Sequence, residues 1–277
     1  MVSSAQALRL CASAVTYCPG ATMKPIGIII IGDEIMRGKR RDGHFAKAVE
    51  ILGERGLCLS WAQYLGDERP RLAAALERSF DSGDLVFCFG GIGVTPDDHT
   101  RQAAAAALGV PLALHPDAER EIRTRMAEMN WEVTPNRLQL GEFPVGSRII
   151  PNPYNRIPGF SCGDHHFLPG FPQMAWPMMA WVLDQGYPEF FHRSDAVERA
   201  IIVWEGHEGM LVDLMRRLEA GMPGLTVFSL PSFGTAEKRR HIELGARGRP
   251  ADVERALAEM RAEAARLGLA WEDVPAG

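Results

Sequence analysis

The chain has 277 residues, 46% hydrophobic and 23% charged, with 30 Lys and Arg against 35 Asp and Glu for a formal net charge of −5. That balance excludes disorder, collagen-like repeats and a coiled coil as the main organisation, and the length is ample to bury a core. No apolar run reaches the roughly 18 residues that a membrane span needs, and a net negative chain is poorly suited to hold nucleic acid by bulk charge, so neither partner is expected.

Residues 1–23 are small and polar with a single basic residue, Arg9. A signal peptide needs a firmer apolar centre of roughly 7–15 residues. The segment is expected to be a disordered extension or to precede a true start at Met23, rather than to be a targeting sequence. The five cysteines, Cys11, Cys18, Cys58, Cys88 and Cys162, are odd in number and form no CxxC pair. Neither a disulfide framework nor a zinc site is indicated, and a reducing cytoplasm is the expected setting. Cys58 and Cys88 lie in apolar stretches and are expected to be buried.

The first element is Ile26-Gly27-Ile28-Ile29-Ile30-Ile31. A run apolar on both faces is a central parallel strand. Phe45, Val49 and Leu52 then recur at helical spacing. Leu59 to Leu65 is a second strand, and Asp67 is placed to cap a helix whose apolar face carries Leu72, Leu76 and Phe80. Leu85 to Phe89 is a third buried strand, followed by an Ala-rich helix to about Leu108. This alternation predicts a doubly wound α/β domain.

A helix is expected from His115 to about Met129, with Pro116 in its first turn. Prolines and glycines crowd residues 130–172, which reads as ordered loops with short strands at Arg148–Ile150 and His166–Leu168. Phe171 to Leu183 is helical, with Pro177 kinking it or shifting its start. Beyond Gly186, strands at 200–204, 225–230 and 241–245 and helices at 211–218 and 251–267 make a β-α-β-β-α order, a small α+β subdomain. The expected division is 24–188 and 189–277.

The main site signal is Gly90-Gly91-Ile92-Gly93-Val94-Thr95-Pro96-Asp97-Asp98-His99-Thr100, between a buried strand and a helix. Open α/β sheets bind ligands at such strand ends, and three glycines with a helix N-terminus form a phosphate cradle. A tight turn capped by Asp97 or Asp98 explains the spacing without a ligand. Acids at two further strand ends, Asp33-Glu34 and Asp67-Glu68, argue against that plainer reading. Carboxylates beside a phosphate call for a divalent cation between them, with Asp33, Asp97 and Asp98 as its candidate ligands. The Pro-Gly loops 152–159 and 168–172 are placed to close the crevice, and Arg101 with Asn136-Arg137 are candidate phosphate partners. His44 and His99 lie nearest the site but are expected to be core or surface residues. His165 and His166, adjacent in a strand, face opposite ways and cannot chelate together.

Gly32-Asp33-Glu34-Ile35 with Gly38, and the glycine loop above, resemble the molybdopterin-binding (MoaB/Mog) domain family. The pattern Gly-Gly-x-Gly-x-Thr-Pro-Asp-Asp-x-Thr is similar to the amino-terminal branch of the CinA (competence/damage-inducible) proteins, which includes the amino-terminal domain of eukaryotic FAD synthases. Asn136-Arg137-Leu138-Gln139, Asn152-Pro153, Pro158-Gly159 and Leu168-Pro169-Gly170-Phe171-Pro172 agree, so the likeness covers about residues 26–185. Gly206-His207-Glu208-Gly209 and Ser229-Leu230-Pro231-Ser232-Phe233 look like the small subdomain of the CinA type.

The resemblance implies a three-layer α/β/α domain with a mostly parallel sheet, binding molybdopterin or an adenylated ligand at the strand carboxyl ends. Its functional acids correspond to Asp67 and Asp98, and its ligand and phosphate contacts to Gly90, Gly91, Gly93, Thr95, Thr100, Pro169 and Gly170. For the CinA and FAD synthase branch it also implies a pyrophosphatase dependent on a divalent metal, Mg or Co, that cleaves ADP-ribose or FAD to AMP. Homo-oligomers are common in the family. The chain departs from the family where Asp42-Gly43-His44 replaces Asp-Thr-Asn, where Asn155, a residue still able to reach positive φ, replaces a glycine, and where Gln173-Met174-Ala175 replaces an acid. Three readings follow: a pterin- or nucleotide-binding protein, a metal-dependent pyrophosphatase, and a scaffold indifferent to Asp98.

Overall fold

All six residues of β1 (Ile26–Ile31) are buried, and their side chains alternate between two cores. Ile28 and Ile30 join Phe87 and Phe89 of β3 (Leu85–Phe89) against one helical layer, while Ile29 and Ile31 join Val86 and Cys88 against the other. The computed structural model describes residues 24–193, 195–234 and 239–275, so the expectation for residues 1–23 lies outside the described residues.

Unit 1 ends at His192. Its six-stranded sheet has the order β2-β1-β3-β8-β7-β6, with β2 (Trp61–Leu65), β6 (Arg148–Ile150), β7 (Gly159–Cys162) and β8 (His165–Leu168). The pairs β2/β1, β1/β3 and β3/β8 are parallel. The far edge turns back, because β8 pairs antiparallel with β7 and β7 with β6. The sheet is thus mostly parallel, as expected.

One helical layer is α2 (His44–Gly53), preceded by the one-turn α1 (Asp33–Met36), together with α7 (Pro172–Gly186). It packs through Ala48, Ile51, Leu52, Met178, Met179, Val182 and Leu183. The opposite layer contains α3 (Arg69–Ser82) and α4 (Thr100–Leu108), which contribute Leu72, Leu76, Phe80, Ala103, Ala104 and Leu108. The three-layer domain follows from that two-sided burial. α7 runs through Pro177 with its start at Pro172, so the start is not shifted. Pro177 forfeits only the bond its N–H would give to the Gln173 carbonyl.

Between α4 and β6 the chain forms β4 (Leu112–Leu114), α5 (Pro116–Glu128), the short α6 (Pro135–Leu138) and β5 (Glu142–Pro144). β4 and β5 pair as a separate two-stranded ribbon. His165 and His166 do face opposite ways. His165 bonds Ser79 Oγ of α3 at 2.8 Å, while His166 Nε2 lies 2.9 Å from the Tyr187 hydroxyl at the end of α7. Burial lowers both imidazoles, to about 4 and about 3 respectively, so both are neutral core groups.

Two expectations are corrected. Cys58 is exposed, because β2 begins only at Trp61 and residues 58–60 are a surface connection; Cys88 and Cys162 are buried. The unit boundary falls after His192 rather than after 188, because Phe190 and Phe191 pack on the first core and His192 N–H bonds the Arg55 carbonyl at 2.9 Å.

Unit 2, from Arg193, has its own core and an antiparallel sheet of order β10-β11-β9-β12. Its elements are β9 (Val197–Trp204), α8 (Glu208–Gly221), β10 (Thr226–Ser232), β11 (His241–Gly248), α9 (Pro250–Arg266) and β12 (Trp271–Asp273). It is the expected small α+β body with one further edge strand.

At the antiparallel edge of unit 1, Phe160 stacks on Phe167 at 4.5 Å and on Phe143 at 4.8 Å, fully buried. Phe160→Ala is expected to destabilise unit 1 by about 3–5 kcal/mol, read as a lower urea midpoint at unchanged slope. An unmoved midpoint would show that the stacked rings do not hold this edge.

Candidate functional site

The carboxyl ends of β2, β1, β3 and β8 lie side by side, and each releases the chain through a glycine: Gly66, Gly32, Gly90 and, one residue after Pro169, Gly170. They border a cleft of about 620 Å³. Asp67, Gly90, Gly91, Gly93, Thr95, Asp97, Asp98, Pro169 and Gly170 all line it. The structure thereby brings together most of the residues singled out in the sequence.

The glycine loop owes its path to two close approaches. Gly90 has φ +103, its N–H bonds the Leu168 carbonyl at 2.9 Å, and a Cβ there would strike the Ile31 carbonyl oxygen. Gly91 has φ +69 and packs on the Thr100 hydroxyl with no room for a side chain. Thr100 is fully buried beneath the loop rather than on its lining; its hydroxyl donates to Gly90 O at 2.9 Å and its N–H to Gly91 O at 3.0 Å.

Arg101, expected as a phosphate partner in the cleft, also lies below the loop, 3% exposed, donating to Gly93 O at 2.5 Å. With these three carbonyls turned inward, the opposed N–H groups of the same planar peptides, those of Gly91, Ile92 and Val94, turn outward. Among the described residues, the N–H groups of Gly91, Ile92, Gly93 and Val94 have no acceptor. The outward N–H groups of Gly91, Ile92 and Val94 are thus free donors of the kind that a backbone nest offers.

The acids divide by position. Asp98 does not cap α4, whose N-cap is His99; its Oδ2 accepts from Thr95 N–H at 2.8 Å and Thr95 Oγ1 at 2.5 Å, closing the loop's far side. Nor does Asp67 cap α3. The cap position is Glu68, and Asp67 Oδ2 instead accepts the Asp33 N–H at 2.7 Å. In return the Asp67 N–H reaches Asp33 Oδ1 at 3.3 Å, and Asp33 Oδ2 pairs with Arg37. Both Asp33 oxygens are therefore engaged, and its neighbour Glu34 lines the cleft in its place.

Burial pushes the Asp67 carboxyl up, and the charges of Asp33, Glu34 and Asp97 push it the same way, against the Asp33 N–H. Asp97 moves down beside the polar groups of Thr95 and its own backbone N–H, which favour its carboxylate. Among the described residues no three His, Cys, Asp or Glu side chains form a ready-made metal cage. A cation here would share Asp67, Asp97 or Asp98 with ligand phosphate oxygens, a mode usual for Mg²⁺. The repulsion gathered on Asp67 fits such an ion.

Phe171, Met174, Ile157, Pro158 and Leu140 give the lining of the same cleft an apolar part, and Asn152 and Asn155 line it too. The 152–158 loop is fixed by Asn152 Nδ2 to Ile157 O at 2.9 Å. Its residue with positive φ is Arg156, at +60, rather than Asn155, whose Oδ1 accepts the Ile157 N–H. The Arg156 side chain reaches Glu121 and Glu128 of α5. Arg137 does not line the cleft; it donates to Glu132 O and covers Trp131 at 5.0 Å.

Two contributors went unread. Arg40 lines the cleft, and the basic run Lys39-Arg40-Arg41 just after the first strand end was its signal. His44, placed near the site only as a core or surface group, is a buried tie. It stacks on Phe89 at 4.6 Å, and its Nε2 donates to Gly170 O at 3.2 Å, since a carbonyl can only accept. Burial lowers its pKa, so the ring is neutral.

Residues 27–189 match the family described as "Probable molybdopterin binding domain". The chain belongs to that family. A CinA-like protein of Anaeromyxobacter sp. (strain Fw109-5) is 35% identical over 136 residues, 49% of this chain and 33% of the relative. Another, from Sulfurihydrogenibium sp. (strain YO3AOP1), is 31% identical over 235 residues, 80% of this chain and 58% of the relative. The chain thus spans between about a third and three fifths of these relatives. A crystal structure of the protein CinA, of unknown function, from Thermoplasma acidophilum superposes with a TM-score of 0.53 at 26% identity, covering 58% of this chain and 97% of that one. No helix among the described residues is long and apolar enough to cross a membrane.

The raised Asp67 carboxyl has a consequence for stability. A group whose folded pKa lies above its unfolded value opposes folding once ionised and ceases to do so as it protonates. Asp67→Asn, which keeps an oxygen for the Asp33 N–H, is expected to raise Tm at pH 7 by about 1–3 °C, a scale set by chain size. The gain is expected to vanish as pH falls below the carboxylate range. A gain that does not depend on pH would contradict this cause.

Proposed function

We propose that this member of the molybdopterin-binding domain family binds a phosphorylated pterin or an adenylated ligand, with phosphate on the glycine loop and the planar ring on the apolar part of the lining. The observation that carries the reading is that the loop 91–94, with its unfilled N–H groups, lines one cleft together with the apolar Phe171 and Met174. A cleft lined by both free backbone donors and apolar side chains suits a molecule that is a heterocycle at one end and an anion at the other.

A second reading is favoured by the three carboxylates, Asp67, Asp97 and Asp98, that line the same cleft as the glycine loop. Asp67, whose carboxyl burial pushes up, is suited to take up and return a proton. Hydrolysis of the diphosphate in ADP-ribose or FAD would use that exchange. Asp67 Oδ2 is engaged by the Asp33 N–H, which leaves Oδ1 to carry the proton. A divalent ion held by Asp97 or Asp98 would neutralise phosphate charge and favour ionisation of water. The loop N–H groups would bind the phosphate, and Asp98, locked by Thr95, would keep the loop in shape.

The test is AMP release from ADP-ribose and from FAD with Co²⁺, with Mg²⁺ and with EDTA, beside Asp98→Ala. Metal-dependent release, reduced about a hundredfold or more in the variant, is expected of an enzyme that relies on this loop. No release with either metal would exclude the hydrolytic reading. Retention of a pterin or nucleotide by the wild type, lost in the variant, would then support the binding reading alone.

A further inference from the structure

Arg101 is the second residue of α4, yet its side chain is buried and ends on three backbone carbonyls: Gly93, Gln139 and Glu142. Its Nε has no partner, and among the described residues no carboxylate makes an ion pair with it; Asp98 and Glu142 attract it without touching it. Burying a guanidinium in this way costs several kcal/mol, and a neutral side chain would avoid the cost. Packing alone does not call for a charge here.

The position of the charge supplies a reason. The Gly93 carbonyl belongs to the peptide whose N–H is that of Val94, and the two point in opposite directions. Drawing the oxygen down to Arg101 therefore turns the Val94 N–H outward. A positive charge beneath the loop also adds to the field of the loop dipoles, in a place that water does not screen. Both effects favour an anion above the loop more strongly than an uncharged ligand.

We propose that Arg101 is a positioning residue for phosphate: from beneath the glycine loop it orients the Gly93–Val94 peptide toward the cleft and supplies a buried positive charge to the anion bound there. The inference rests on the reading that the cleft takes a phosphorylated ligand, and it adds how the loop discriminates by charge. Lysine cannot reproduce the function in full, since one ammonium cannot span the three carbonyls that the planar fork reaches.

The test compares AMP with adenosine, which differ only in the phosphate. NMR titration reads affinities into the millimolar range, and Arg101→Met and Arg101→Lys would be titrated beside the wild type, with thermal melts to check folding. Arg101→Met is expected to lose about tenfold or more for AMP, the size of a hydrogen bond to a charged group, with adenosine changed less than about twofold. Arg101→Lys is expected to fall between. Should Met fail to fold, Lys carries the comparison, and the wild type gives a reading of its own. Its buried Arg101 Nε–H resonance, identified by its absence in Arg101→Lys, is expected to shift with AMP and not with adenosine. Equal losses for both ligands, or none, with an unmoved resonance, would overturn the role. Adenosine bound as tightly as AMP by the wild type would overturn the phosphate reading itself, and this inference with it.

Discussion

Gly90 has to pass between the ends of two neighbouring strands with no side chain. Its N–H is fixed to Leu168 at the end of β8, and its Cα faces the last carbonyl of β1 too closely for a Cβ. Only at φ +103 can the chain leave β3 on that course. From there the loop folds back over Thr100 and Arg101, which hold its carbonyls under it. The cleft follows from this constraint: a bulkier residue at 90 would push the loop outward, and the inward carbonyls would lose their donors. His44 serves the Gly170 loop in the same spirit, joining the Gly170 carbonyl to the ring of Phe89.

The site combines two kinds of charge that would oppose one another if they were mixed. Positive character lies in Arg101 beneath the loop, in the outward loop N–H groups and in Arg40 of the lining. Negative character lies on the rim, in Glu34, Asp67, Asp97 and Asp98. A phosphate alone would meet the rim unfavourably, and a cation alone would meet the floor unfavourably. A phosphate carrying a divalent cation satisfies both, and this links the binding and hydrolytic readings rather than setting them apart.

Much of this was legible in the sequence. Continuous apolar runs marked β1 and β3 because a strand covered on both faces has no polar alternation, and glycine spacing marked the loop. The strands β4, β5 and β7 were not legible, since none carries two adjacent large apolar residues, as β6 does in Ile149-Ile150 and β8 in Phe167-Leu168. Asp67 and Asp98 were placed in the site but given capping as their plainer role. Asp67 turned instead to the Asp33 N–H, which the pairing of β2 with β1 brings near and local sequence does not encode, whereas Asp98 turned back to Thr95 within the same loop. Arg101 was misplaced for a similar reason. At the start of a helix the residue type does not reveal whether a long side chain points into a cleft or beneath it. Asn155 was expected to carry the left-handed conformation, yet Arg156 does, its side chain anchored by Glu121 and Glu128 from a helix far away in sequence.

The division of the cleft into a phosphate seat and a ring seat is tested most directly by a crystal structure with AMP bound. Phosphate oxygens within hydrogen-bonding distance of the Gly91–Val94 N–H groups, with adenine against Phe171 and Met174, are the expected result. Adenine in the glycine loop, or phosphate held by side chains away from it, would contradict that division.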